Sequence, residues 1–143
     1  MLYPIGIQNF EKLRQGGFAY VDKTDLIYQI VRTGGYYFLG RPRRFGKSLL
    51  VSTMEAYFQG KRELFQGLAL EKLEKDWTEY PVLHLDLSGK TYNKAEDLEM
   101  LLDLHLSRWE GELGMQARYS EPDLRFQTLI DAAYEKTGKP VVI

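Results

Sequence analysis

The tripeptide Gly46-Lys47-Ser48 constrains this chain most, because it stands between a short aromatic and apolar run and a stretch with helical periodicity. The run is Tyr36-Tyr37-Phe38-Leu39, bounded by glycines; the stretch carries Leu50, Val51, Met54, Tyr57 and Phe58 at helical spacing. Strand, loop, helix is the setting of a phosphate-binding loop, and Gly-Lys-Ser is the second half of the Walker A pattern. Composition alone produces such a tripeptide in about one chain in fifteen to twenty of this length, so the setting carries the weight. Each residue has a physical role there. Gly46 lets the backbone approach closely, Lys47 brings a point charge to phosphate oxygens, and the Ser48 hydroxyl can reach a metal ion. The unpaired N–H groups at the helix start face the anion.

The pattern departs from the full motif at one place. Glycine belongs five residues before Gly46, and Arg41 stands there with Gly40 displaced by one. Either Arg41 adopts the needed turn, or Gly40 supplies the freedom from next door. Arg43 and Arg44 add forked donors that suit phosphate or a partner's acidic group, but also a solvated loop or structural ion pairs. The candidate nucleotide-binding set is Arg43, Arg44, Phe45, Gly46, Lys47, Ser48 and Leu49, with Ser48 also the candidate metal ligand.

Around the loop, helices are expected over about 24–33 (Leu26, Ile27, Ile30 and Val31 on one face, Gly34 at the end) and from Lys47 to near Gly60. Residues 61–76 read as one or two short helical pieces, interrupted by Gly67. Pro81 opens a second buried-looking strand, Val82 to Leu87, closed by a turn at Ser88-Gly89. Asn93 with Glu96 resembles a capping box for a long helix to about Glu112, with Leu98, Leu101, Leu102, His105 and Trp109 as its stripe. A last helix starts near Ser120 to Pro122, buries Phe126, Leu129, Ile130 and Ala133, and stops at Gly138. Val141-Val142-Ile143 reads as the opening of a third strand. Strands alternating with helices predict an α/β fold, a P-loop NTPase-type parallel sheet flanked by helices. The first two strands should pair in parallel, with the Leu50, Met54 and Tyr57 face of the helix from Lys47 against them.

Composition narrows the function classes. A chain of 143 residues with a formal net charge of -1 has no global field to draw it onto nucleic acid or membrane. Without cysteine, disulfides and thiolate metal sites are excluded, and two scattered histidines make no zinc site. No signal-peptide pattern and no membrane-length apolar run occur, so a cytoplasmic protein without membrane partners is expected. With no repeat or linker composition, residues 1–143 are treated as one folding unit.

Tyr20-Val21-Asp22-Lys23-Thr24 and the loop from Arg41 to Ser48, with Trp77, Tyr80-Pro81-Val82 and Leu85-Asp86, resemble the predicted AAA-ATPase-like family of bacterial P-loop proteins over nearly the whole chain. That resemblance implies ATP and Mg²⁺ as ligands, with residues 1–143 as the N-terminal part of the nucleotide-binding domain. In many members a nuclease-like domain of the PD-(D/E)XK type follows. The resemblance also places the Walker B acidic residues, which position metal and activate water, in the strand beyond Ile143, so hydrolysis depends on elements outside these residues. Two further readings stay open: a nucleotide-responsive module that controls an attached effector with little or no hydrolysis, and a nucleic-acid-binding unit using Arg41 to Lys47. Asp86 is read first as a strand-end or turn residue and Asp22 with Thr24 first as a helix cap. Neither histidine looks catalytic.

Overall fold

Side-chain and glycine caps set most of the element boundaries in the computed structural model, which describes residues 2–88 and 91–143. The described residues gather into two compact units, Met1–Glu79 and Tyr80–Ile143.

In the first unit, α1 (Phe10–Gln15) starts where Asn9 Oδ1 accepts the N–H of Lys12 at 3.0 Å, and it buries Phe10 and Leu13 completely. This helix is too short for a periodicity reading and is absent from the expectations above. Helix α2 spans Thr24–Thr33 and ends at Gly34, as the sequence predicts. Helix α3 spans Lys47–Phe58, also as predicted. Its inner face is more polar than its apolar spacing suggests. Ser52 and Thr53 are buried beside Ala56 and Tyr57, while Leu49, Leu50 and Met54 pack at the margin of the core. The hydroxyls are satisfied locally: both Ser52 and Thr53 donate to Leu49 O, and Ser52 Oγ accepts the Phe10 N–H at 3.0 Å, tying α1 to α3. Residues 61–76 form two short pieces, a 3₁₀ turn (Arg62–Phe65) and α4 (Ala69–Leu73). The Arg14 guanidinium holds the first through Leu64 O at 2.7 Å and Gln66 O at 2.6 Å. The core is aromatic, with the Phe10 and Phe65 rings 4.9 Å apart and Tyr57 edge-on to Trp77.

In the second unit, α5 (Ala95–Leu113) and α6 (Pro122–Thr137) pack around Leu83, Leu106, Trp109 and Leu129. The boundaries of α6 match the sequence reading, with Pro122 in its first turn and Gly138 at φ 64, a left-handed cap that glycine adopts without strain. At the start of α5 the cap is displaced by one residue. Asp97, not Glu96, accepts the N–H groups of Asn93 and Lys94 at 3.0 and 3.2 Å. Arg125, on the inner face of α6, is buried and forms two bonds with Glu110, at 2.9 and 2.7 Å, with Asp103 and Ser107 completing its donor set.

The parallel sheet expected from the sequence is not there. Among the described residues β-structure is limited to two isolated parallel bridges, Leu2 with Phe18 and Val82 with Val142, and the fold is helical. Tyr36 to Leu39 forms no strand, and its rings face solvent. Of Val82 to Leu87 only Val82 pairs, through Leu83 N–H to Val142 O at 2.8 Å and Val142 N–H to Pro81 O at 2.9 Å. The two expected strands fall in different units and do not pair. The reason is physical. An apolar run states that a segment is fit for burial, whereas a strand exists only when another backbone accepts its ladder. The turn expected at Ser88-Gly89 lies in part, at Gly89, outside the described residues.

Candidate functional site

The loop before α3 is built around two left-handed residues, Arg44 at φ 66 and Gly46 at φ 75. Glycine takes that conformation freely, while at an arginine it is uncommon and held by its surroundings. The left-handed Gly46 turns the chain into the helix, and its carbonyl accepts the first intrahelical bond, from Leu50 N–H at 2.9 Å. The N–H groups of Lys47, Ser48 and Leu49 precede that bond and have no acceptor among the described residues.

This helix start is electrostatically unlike its neighbours. The first turns of the other helices all carry an acidic residue, whereas that of α3 carries none and Gly46 offers no capping side chain. From Leu26 to Met54 the sequence has no aspartate or glutamate at all. Lys47 is half-buried, and its Nζ folds back to donate to the carbonyls of Arg41, at 2.5 Å, and Pro42, at 2.8 Å. The ammonium therefore sits in the concavity of its own loop. Arg43, Arg44 and Ser48 are exposed, and Phe45 is 62% exposed. Leu49 turns its side chain to the core, which leaves only its N–H to face a ligand. The structure thus brings Gly46, Lys47, Ser48 and the Leu49 N–H together at one helix end, and leaves the arginine side chains and Phe45 in solvent.

Asp22 and Thr24 do something else. Asp22 Oδ1 accepts the N–H and the hydroxyl of Thr24 at 2.9 and 2.7 Å, and Oδ2 accepts the N–H of Ala69 at 2.7 Å. Thr24 is fully buried, and its Oγ1 accepts the N–H of Leu70 at 3.0 Å. Two side chains therefore close the starts of α2 and α4 at once. Desolvation pushes the Asp22 carboxyl up, but the bonds from Thr24 and Ala69 outweigh it and hold the group below the ordinary aspartate range. The helix-cap reading holds, and the α4 half of the clamp, 46 and 47 residues away in sequence, had no local signal.

Asp86 accepts the N–H and hydroxyl of Ser88 at 2.9 and 2.6 Å, bonds that keep its carboxyl below its usual range. It is a turn residue. His105 sets Nε2 3.1 Å from Asp86 O and lies against Trp109, a packing role. The buried Arg125 with Glu110 was not foreseen. Its signal was present, since Arg125 falls four and eight residues before Leu129 and Ala133 on one helix face, where a charge needs a buried partner. A cleft of about 540 Å³ in the second unit, lined by Glu110, Thr128 and Glu135 among others, contains none of the loop residues. No group of three or more histidine, aspartate or glutamate side chains suited to a metal occurs among the described residues. No helix there is long and apolar enough to cross a membrane.

Comparison with known proteins bears on nearly all of the chain. The sequence model of a family described as Predicted AAA-ATPase matches residues 4–143. An uncharacterized protein in the vnfD 5′ region of Azotobacter chroococcum mcd 1 is 41% identical over 142 residues, which is 98% of this chain and 27% of that protein. The chain thus spans about a quarter of that relative's length. No solved structure matches.

Proposed function

We propose, because this chain belongs to the predicted AAA-ATPase family, that the loop from Arg41 to Ser48 binds the phosphates of ATP. The observation that carries this reading is the acid-free start of α3 with Lys47 folded against the carbonyls of Arg41 and Pro42. Those carbonyls hold the ammonium where an anion would sit. An incoming β/γ-phosphate takes their place as the lysine's partner, and the free N–H groups of Lys47, Ser48 and Leu49 supply further bonds. Arg43 and Arg44 stand exposed beside it, able to swing onto phosphate oxygens.

Mg²⁺ fits this site only in part. The exposed Ser48 hydroxyl is the one ligand the loop offers, so the ion would be completed by phosphate oxygens and water, as is usual for this cation. When bound, it would neutralise developing charge on the phosphates. The family resemblance implies acidic residues as the groups that activate water. None occurs from Leu26 to Met54, and Asp86 is committed to its turn. We assign hydrolysis to acidic residues outside residues 1–143. The same lack favours a second reading, in which nucleotide binding biases a conformation that controls an attached nuclease-like domain and turnover is slow or absent.

Titration calorimetry with Mg-ATP tests the loop. Lys47→Ala should weaken binding by about tenfold or more, the loss of one charge-assisted contact. Equal affinity in the wild type and the variant removes the assignment. Phosphate release by residues 1–143 should be negligible, and robust turnover abolished by Asp86→Asn would move the water-activating role to Asp86.

A further inference from the structure

The segment preceding the phosphate loop carries aromatic rings that the binding of ATP phosphates does not use. Tyr36 and Phe38 are 107% and 97% exposed, as open as side chains become, while Tyr37 between them is pinned. Its hydroxyl lies 2.6 Å from Thr33 Oγ1 and 2.9 Å from the carbonyls of Ile30 and Gly34, at the end of α2. Anchoring the middle residue fixes the segment to the protein while its neighbours stay in solvent. The Phe38 ring rests beside Gly40, where a Cβ would stand 3.5 Å from Cε1. Immediately after come Arg41, Arg43 and Arg44, all exposed and none in an ion pair among the described residues. The first unit as a whole holds more basic than acidic residues, the reverse of the second, so the near-neutral total conceals a local positive field.

We infer that residues 36–45 form a docking surface for single-stranded nucleic acid, with unpaired bases stacking on Tyr36 and Phe38 and backbone phosphates meeting Arg41, Arg43 and Arg44. Open aromatic faces interleaved with cations are the two elements that sequence-tolerant single-strand binding combines. Each accounts for what the other leaves over. Aromatic rings alone would suit any apolar partner, and arginines alone any polyanion, but bases beside phosphates satisfy both in one ligand. Duplex fits less well, because its bases are already stacked and only its phosphates remain for the arginines. The surface shares its arginines with the ATP loop, but Tyr36 and Phe38 belong to it alone and Lys47 belongs to the ATP loop alone, so variants at those residues make the two assignments fail separately.

Fluorescence anisotropy with a labelled single-stranded oligonucleotide of mixed sequence, and with the same sequence as duplex, tests the inference. The single strand should bind more tightly than the duplex, and log affinity should fall against log salt with a slope of about -2, as three neutralised phosphates require on a single strand. The double variant Tyr36→Ala with Phe38→Ala should weaken single-strand binding by about tenfold or more while Mg-ATP binding in calorimetry stays at the wild-type level. The ring-preserving pair Tyr36→Phe with Phe38→Tyr should bind the oligonucleotide like wild type, which separates loss of stacking from loss of fold. Lys47→Ala should show the opposite pattern, weak ATP binding with the oligonucleotide retained. Absence of oligonucleotide binding at low salt overturns the inference. Equal affinity for single strand and duplex, unchanged by the alanine pair, overturns it too, because charge alone would then account for the binding.

Discussion

The starts of α2 and α3 face the same physical problem, unpaired N–H groups at the positive end of a helix dipole, and meet it in opposite ways. At α2 the protein supplies its own anion. Asp22 bonds Thr24 and also reaches Ala69, Thr24 is buried with both hydroxyl functions used, and the same pair closes α4. At α3 no side chain caps Gly46, no acid lies in the first turn, and Lys47 turns its ammonium back to the carbonyls of Arg41 and Pro42. The two motifs that carry the family resemblance are therefore different in kind: one is a structural clamp, and the other is a helix start with no acid of its own. A helix start with its own carboxylate has nothing to offer a phosphate.

Reversing the open start should give the largest effect. Ser48→Asp places a carboxylate in the first turn of α3, where the dipole favours it by roughly 0.3–1 kcal/mol, so thermal stability should hold or rise slightly. Mg-ATP affinity should fall by about a hundredfold or more, on the order of 3 kcal/mol, because the carboxylate occupies and repels the phosphate position. Calorimetry beside a thermal melt reads both. If the affinity survives, the difference between the two helix starts has no bearing on ligand binding.

Opening the closed start should cost stability and leave the nucleotide alone. Thr24→Val keeps the shape but strands the Leu70 N–H and removes one of the donors to Asp22, a loss of about 1–3 kcal/mol in urea denaturation. Unchanged Mg-ATP affinity should accompany it. A variant of normal stability that no longer binds ATP would make Thr24 a ligand contact and end the structural reading.

The smallest effect is in the acid limb. The Asp22 carboxyl is held below its ordinary range, so its folded form is favoured when ionised. Its contribution is fully present above the unfolded aspartate value, near pH 4, and is lost as pH falls through the lower folded value. Asp22→Asn should lower stability at neutral pH and flatten the decline below about pH 4. Parallel acid limbs in the two proteins would show that another carboxylate sets it.

Much of the helical part of the fold was legible, and the reason is locality. Helix α2 from Thr24 to Thr33, the start of α3 at Lys47 and the limits of α6 at Pro122 and Gly138 follow from spacings within a few residues. Helical bonds span four residues, so the sequence nearby contains the information. The short α1 escaped because six residues give no periodicity, although Asn9 before Phe10 and Leu13 is a readable cap. In the site, Gly46, Lys47 and Ser48 were readable as one helix start. Which carbonyls receive the Lys47 ammonium, those of Arg41 and Pro42, and the left-handed Arg44 were not.

By itself, then, the sequence determined which segments coil, where their caps stand and which loop is rich in cations. Only the tertiary structure decided which partners those segments have. Tyr36 to Leu39 has the composition of a buried strand, yet among the described residues no backbone pairs with it and its rings stay in solvent, while Val82 finds only Val142. Asp22 reached Ala69, and Arg125 reached Glu110, across separations that no local pattern encodes. Strand ladders, buried ion pairs and clamps are contacts between distant residues. Each segment's sequence states its fitness for such a contact, and only the folded chain states whether a partner is there.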